Sequence, residues 1–153
     1  MLRYILTLIF CLPLTTQPAL AKKPTKQETR KSQKEHTELA ERAELYWRSV
    51  RWADAPNASV FLENPNDRVV FQQWLKGQGS EQKITEAKVL HVDVSNEVRK
   101  PKDGRIRTAV VTVSIEGFKL PEQVLKQQTL SQGWYRTNAG WFVDWTPPPP
   151  TKP

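Results

Sequence analysis

The feature that most constrains the fold is an amphipathic helical stretch at residues 37–54, TELAERAELYWRSVRWAD. Apolar side chains recur in it every four and then three residues, which is the spacing of one face of an α-helix. The stripe consists of Leu39, Ala43, Tyr46, Val50 and Ala53, with Trp47 beside it. Burying each large side chain is worth roughly 1.5–3 kcal/mol. The helix therefore needs a large apolar surface to cover it.

The C-terminal half offers that surface. Leu90, Val92 and Val94 alternate with polar residues, so residues 84–95 are predicted to form a strand with one buried face. Further strands are predicted at 106–115, 123–137 and 141–145, and short helices at 58–63 and from 66 or 67 to 76. Helices followed by a strand meander, without β-α-β alternation, indicate an α+β fold. We expect a long N-terminal helix and two short helices on one face of a four-stranded antiparallel sheet.

Residues 1–21 have the pattern of a secretory signal peptide. Arg3 precedes an apolar run at 4–14, and the segment ends in small residues before Lys22. The run is too short for a stable membrane span, which takes about 20 apolar residues. Cys11 lacks the small preceding residues of a lipid-anchor signal, so cleavage would remove the only cysteine. We expect a periplasmic or secreted protein without disulfides or a cysteine metal site.

Charged and proline-rich segments flank the predicted domain at 37–146. Residues 22–36 are basic and lack apolar periodicity, so a disordered leader is expected there. Capping boxes at Ser32–Glu35 and Thr25–Glu28 leave open a helix start before Thr37. A solvated spacer is favoured over an anion-binding arm, and nucleic-acid binding is not expected because no aromatic residue is interleaved with the charges. Residues 147–153 form a proline-rich tail, interpreted as a frayed terminus rather than a docking peptide.

Several short elements resemble nuclear-transport-factor-like proteins of the cystatin-like α+β cone. They are the RA-x-x-YW element at 42–47, the following Asp54, ENPNDR at 63–68 and WYRTNAGWFVD at 134–144, and the likeness spans about 37–145. The resemblance implies a curved sheet wrapped round the first helix, which leaves a cone-shaped cavity. The family contains isomerases, dehydratases and polyketide cyclases, but also binding and assembly domains without chemistry. Fold alone does not decide between them.

An enzyme of this kind needs an acid or base inside the cone. The candidates are Tyr46 and Asp54, both from the first helix, and His91 with Asp93 on one strand face. The alternation of residues 90–94 favours an outward, solvated position for His91 and Asp93, and Asp54 is favoured as a helix cap. The histidines and carboxylates show no metal-ligand spacing, so we expect no metal or other cofactor.

The six tryptophans are the strongest compositional anomaly. They could form the core, a partner surface or the wall of a pocket for a small apolar ligand. The candidates for a pocket wall are Tyr46, Trp47, Trp74, Trp134 and Trp141. Core packing is the favoured interpretation for Trp47 and Trp74, which lie on helical stripes.

Strands 106–115 and 141–145 carry apolar residues on both faces. Because the helices cover only one face of the sheet, this pattern predicts a homodimer or a complex with another envelope protein. The function favoured by the sequence is an exported, non-enzymatic binding or assembly module with an aromatic-lined cone. The alternative is an isomerase-like or dehydratase-like enzyme that uses the same cavity.

Overall fold

The computed structural model describes residues 26–95 and 104–147. Three helices precede a four-stranded antiparallel sheet with the strand order β1-β2-β3-β4 in this part of the chain. The elements are α1 (Lys26–Arg51), α2 (Ala55–Ser59), α3 (Pro65–Glu81), β1 (Gln82–Val94), β2 (Arg107–Lys119), β3 (Lys126–Thr137) and β4 (Gly140–Val143). The sheet is curled into half a barrel around the helices, so the predicted α+β cone is confirmed.

Helix α1 begins at Lys26, well before the predicted start at Thr37. The prediction of a disordered leader is therefore wrong for residues 26–36. Glu35 is only 6% exposed and forms ion pairs with Arg107 of β2 and Arg136 of β3. The earlier helix start that the capping boxes left open is the one observed, although apolar periodicity did not indicate it. Glu35 joins this segment to the sheet by charge pairing rather than by apolar burial. The predicted signal peptide, residues 22–25, residues 96–103 and residues 148–153 lie outside the described residues.

The C-terminal end of α1 also differs from the prediction. Leu39, Ala43, Tyr46 and Val50 are buried as expected, but the helix ends at Arg51. Ala53 is exposed and has a left-handed φ of 52°, with its amide donating to the Val50 carbonyl oxygen. It is thus a turn residue rather than a member of the apolar stripe.

The two shorter helices have polar caps that fix their starts. Asp54 accepts a hydrogen bond from the Asn57 amide at the start of α2, and Asn64 does the same for Asn66 at the start of α3. Helix α3 continues past Gly77 to Glu81, although the glycines predicted an end near residue 76. A glycine costs a helix only about 1 kcal/mol, so tertiary packing outweighs it here.

The inner face of β2 is apolar and the outer face is mostly polar. Ala109, Val111, Val113 and Ile115 are buried against the helical side. The outer positions are Thr108, Val110, Thr112, Ser114, Glu116 and Phe118, of which only Val110 and Phe118 are apolar. The prediction that β2 is apolar on both faces is therefore wrong. The outer face of β2 consequently gives no reason to expect a partner that covers it.

A register shift displaces Leu90 from the inner face of β1. The pairs Val89↔Val113 and His91↔Thr112 leave Leu90 as an additional residue between them, and its side chain is exposed. Val92 and Val94 return to the inner face, as predicted. The simple alternation of residues 90–94 therefore starts after Leu90.

The outer side of the β3–β4 edge is covered within the chain. Tyr135 and Phe142 are paired across the two strands with ring centroids 6.2 Å apart, and both are buried. The guanidinium group of Arg105 lies 4.1 Å from the Tyr135 ring centroid, and that of Arg42 lies 5.8 Å from the Phe142 centroid. The apolar outer residues at this edge therefore need no second chain to cover them.

Candidate functional site

An open apolar pocket of about 480 Å³ lies where the helices stop covering the inner face of the sheet. Helix α1 ends at Arg51, while β2 and β3 continue past it with Ile115, Gln128 and Leu130 on their inner faces. Leu130 is 37% exposed although it faces the concave side. The remaining wall comes from the end of α1, from α3 and from the start of β1. Its lining includes Tyr46, Trp47, Val50, Trp52, Trp74, Leu75, Gln78, Gln82, Lys83 and Ile84.

The floor of this pocket is part of the aromatic core. Tyr46 packs edge-on against Trp47 and Trp134, with ring centroids 5.4 and 5.9 Å away. Such edge-to-face pairs add roughly 0.5–1.5 kcal/mol beyond area burial. The floor is consequently rigid, because moving one ring would disturb the others.

The side chain of Gln132 on β3 forms hydrogen bonds with the aromatic residues of the floor. Its Oε1 accepts hydrogen bonds from the indole nitrogens of Trp47, at 3.1 Å, and Trp134, at 3.2 Å. Its side chain also hydrogen-bonds the phenol of Tyr46. One amide thus serves three aromatic side chains, which fixes the orientation of each ring.

Burial raises the pKa of the Tyr46 phenol well above its ordinary value, and the hydrogen bond from Gln132 only partly opposes this shift. The phenol is therefore protonated at neutral pH. It could donate a hydrogen bond, but it is unsuited to act as a general base.

The other ionisable groups lining the pocket are cationic. Arg51 and Lys83 belong to the lining, and no carboxylate or imidazole does among the residues that the structure describes. The guanidinium group of Arg51 lies 5.2 Å from the centroid of the Trp52 ring, which is itself 72% exposed. The pocket thus combines an apolar floor with a positively charged edge.

Three of the five predicted pocket residues meet at this site. Tyr46, Trp47 and Trp74 line the pocket, whereas Trp134 and Trp141 are fully enclosed in the core. Trp141 has its ring 5.9 Å from the guanidinium group of Arg136, and its indole nitrogen has no hydrogen-bond partner within the described structure. The placement of Trp134 and Trp141 agrees with the core interpretation.

Apart from Tyr46, which lines the pocket, the candidate acid and base residues lie elsewhere. Asp54 caps α2 and accepts a 2.7 Å hydrogen bond from the Asn57 side chain. His91 and Asp93 are exposed on the outer face of β1, opposite Thr112 and Val110. Within residues 26–95 and 104–147, no group of three or more metal-binding side chains is close enough to hold an ion.

Sequence reasoning missed Gln132, Leu130 and Arg51 as parts of this region. Leu130 and Gln132 alternate on β3 within a run that is otherwise polar, so the strand could be predicted but not the side of it that faces the helices. Arg51 follows Val50 on the helix and was indistinguishable from the solvated arginines around it. In each case, the sequence did not reveal that α1 ends at Arg51 and leaves this part of the sheet uncovered.

No helix within the described ranges has the length and apolarity needed to span a bilayer. Comparison with known proteins identifies no matching family model, no matching curated protein and no matching solved structure. Function must therefore be inferred from the pocket itself.

Proposed function

We propose that this protein is an exported, non-enzymatic binding module that holds a small apolar ligand in the pocket at the end of α1. The observation that carries the proposal is a largely apolar cavity of about 480 Å³ next to an aromatic floor. Ligand sites in proteins are typically concave, mostly apolar and about 300–1,000 Å³ in volume. A few amides and a cation at the edge supply the polar contacts that orient a ligand.

The enzymatic alternative finds less support in this pocket. Isomerase or dehydratase chemistry needs a general acid or base within hydrogen-bond reach of the substrate. Among the described lining residues, the ionisable groups are a phenol held protonated and two cations. Asp54, His91 and Asp93 would need to move from a helix cap and from the outer sheet face to contribute.

Family membership and cellular location belong to the same proposal. We regard the chain as a divergent nuclear-transport-factor-like protein, because three helices precede a curled four-stranded antiparallel sheet with a cavity at its open end. The predicted signal peptide at 1–21 supports a periplasmic or secreted location. An apolar ligand is compatible with either compartment.

A fluorescence titration with N-phenyl-1-naphthylamine, an uncharged apolar dye, tests ligand binding. The expected result is a saturable signal with one site per chain. Leu130→Glu should abolish it, because the carboxylate would lie in the pocket wall. Val110→Glu is the matched control: Val110 is 46% exposed on the outer face of the same sheet, so binding should persist. Equal loss in both variants, or no saturable binding by the native protein, would refute the proposal.

Assembly, as a homodimer or with an envelope protein, is the second candidate. Leu45, Trp52 and Val60 are exposed apolar residues around a shallow depression beside α2, and such clusters often mark contact surfaces. If this cluster holds a dimer together, Val60→Glu should dissociate it in sedimentation experiments and Val69→Glu, on exposed α3 surface, should not. A native protein that sediments as a monomer at tens of micromolar would exclude self-association as its role.

A further inference from the structure

We propose that the ligand is an amphipathic anion, with an apolar body on the aromatic floor and an acidic head group at Arg51. This inference rests on the proposed binding function and specifies its ligand class. Carboxylate, sulfonate and phosphate head groups share the chemistry that a guanidinium group recognises, namely oxygen acceptors with negative charge.

The state of Arg51 is the first argument. Arg107 and Arg136 on the sheet both form ion pairs with the buried Glu35. Arg51, in the last turn of α1, contacts the Trp52 ring and forms no ion pair with any carboxylate in the described structure. Stacking on an aromatic ring leaves the edge of a guanidinium group available for bidentate hydrogen bonds. The group is thus held at the pocket edge with its hydrogen-bonding capacity for an anion intact.

The distribution of polar groups around the pocket is the second argument. The lining contains the amides Gln78, Gln82 and Gln128, and the cation Lys83, beside the apolar floor. Amide N–H groups donate hydrogen bonds to an oxyanion without requiring a counter-charge. Because the described lining holds no carboxylate, an anionic head group meets attraction without like-charge repulsion, whereas a cationic one would be repelled.

A matched pair of dyes tests the head group separately from the body. 8-Anilinonaphthalene-1-sulfonate has the same aromatic body as N-phenyl-1-naphthylamine and adds one sulfonate. We expect the sulfonate dye to bind the native protein about three- to tenfold more tightly, which corresponds to the ordinary net contribution of one hydrogen bond. Added salt should weaken binding of the sulfonate dye and leave the uncharged dye unaffected.

Arg51→Gln should weaken binding of the sulfonate dye more than binding of the uncharged dye, so that the advantage is lost. Arg51→Lys should restore part of it, because the charge returns without the bidentate geometry. Arg48→Gln is the control: Arg48 is an exposed cation on the same helix, one turn earlier, and does not line this pocket. Circular dichroism would establish that each variant is folded.

The outcomes separate the two proposals. If the uncharged dye binds and the sulfonate gives no advantage, or if Arg48→Gln reduces the advantage as much as Arg51→Gln, the anionic head group is refuted and the binding function stands. If neither dye binds in a saturable way, the binding function itself fails. An advantage lost only in Arg51→Gln supports the assignment of the head group to Arg51.

Discussion

Replacing Gln132 by methionine should destabilise the protein far more than any other single amide replacement on β3. Methionine is similar in length to glutamine but offers no comparable acceptor or donor. The change would leave unpaired the indole nitrogens of Trp47 and Trp134 and the phenol of Tyr46, all on buried residues. A buried polar group without a partner costs about 1–3 kcal/mol.

Summing three such penalties and allowing for the apolar gain of methionine, we expect a loss of about 3–5 kcal/mol in the free energy of unfolding. Unfolding in guanidinium chloride, monitored by tryptophan fluorescence and circular dichroism, measures this loss. Gln128→Met is the matched control, because Gln128 occupies the same inner row of β3 but is exposed. It should change stability by less than about 0.5 kcal/mol.

A double-mutant cycle tests whether the hydrogen bonds are the cause. Tyr46→Phe removes the phenol, so the two substitutions together should cost less than the sum of their separate costs. A loss below about 1 kcal/mol for Gln132→Met would refute the argument, since it would mean that the three groups find other partners or water. Strict additivity in the cycle would refute the bond between Gln132 and Tyr46.

Three further predictions follow from the fold. Glu35→Ala should cost about 2–4 kcal/mol in urea unfolding, because it leaves Arg107 without its ion pair and Arg136 with only the longer, 3.7 Å contact to Glu38; an effect within experimental error would mean that the start of α1 does not depend on these pairs. Ala53→Gly should stabilise the protein by about 0.5–1 kcal/mol, because glycine adopts the left-handed backbone without strain; destabilisation in thermal melts would contradict this. The free energy of unfolding should fall as the pH rises above 10, where tyrosine in the unfolded chain ionises but Tyr46, with its raised pKa, stays protonated in the folded protein. Tyr46→Phe should make this decrease with pH less steep. An equally steep decrease in the variant would show that Tyr46 does not cause it.

The strand meander and the buried face of α1 could be predicted because they depend on short-range periodicity. Leu39, Ala43 and Tyr46 recur at helical spacing, and Val92 and Val94 alternate as a strand requires. Apolar periodicity did not predict the start of α1, although the capping boxes at Thr25–Glu28 and Ser32–Glu35 left an earlier start open. The observed start depends on Glu35 meeting arginines more than 70 residues later in the chain, and no local pattern encodes that pairing.

The candidate site was predictable only in part for a related reason. The residues Tyr46, Trp47 and Trp74 were identified because aromatic side chains on helical stripes must face an interior. Whether that interior is filled or open depends on the relative lengths of α1 and the sheet. The register shift at Leu90 interrupts the alternation of β1, and the turn at Ala53 ends the helical repeat of α1. Neither interruption can be recognised from the spacing of apolar residues in the sequence.

The residues of the pocket floor also belong to the core, whereas the residues of the pocket edge contribute little to it. Tyr46 and Trp47 belong to both the core and the pocket floor, so variants at these positions would change folding and binding together. Arg51 and Leu130 lie at the edge, where the side chains are exposed or half-exposed and carry little of the core packing. In the proposed binding module, ligand specificity would therefore change through the edge residues while the hydrogen bonds of Gln132 keep the floor in place. For the same reason, the charge of Arg51 can be varied experimentally without disturbing the rigid surface against which its effect is measured.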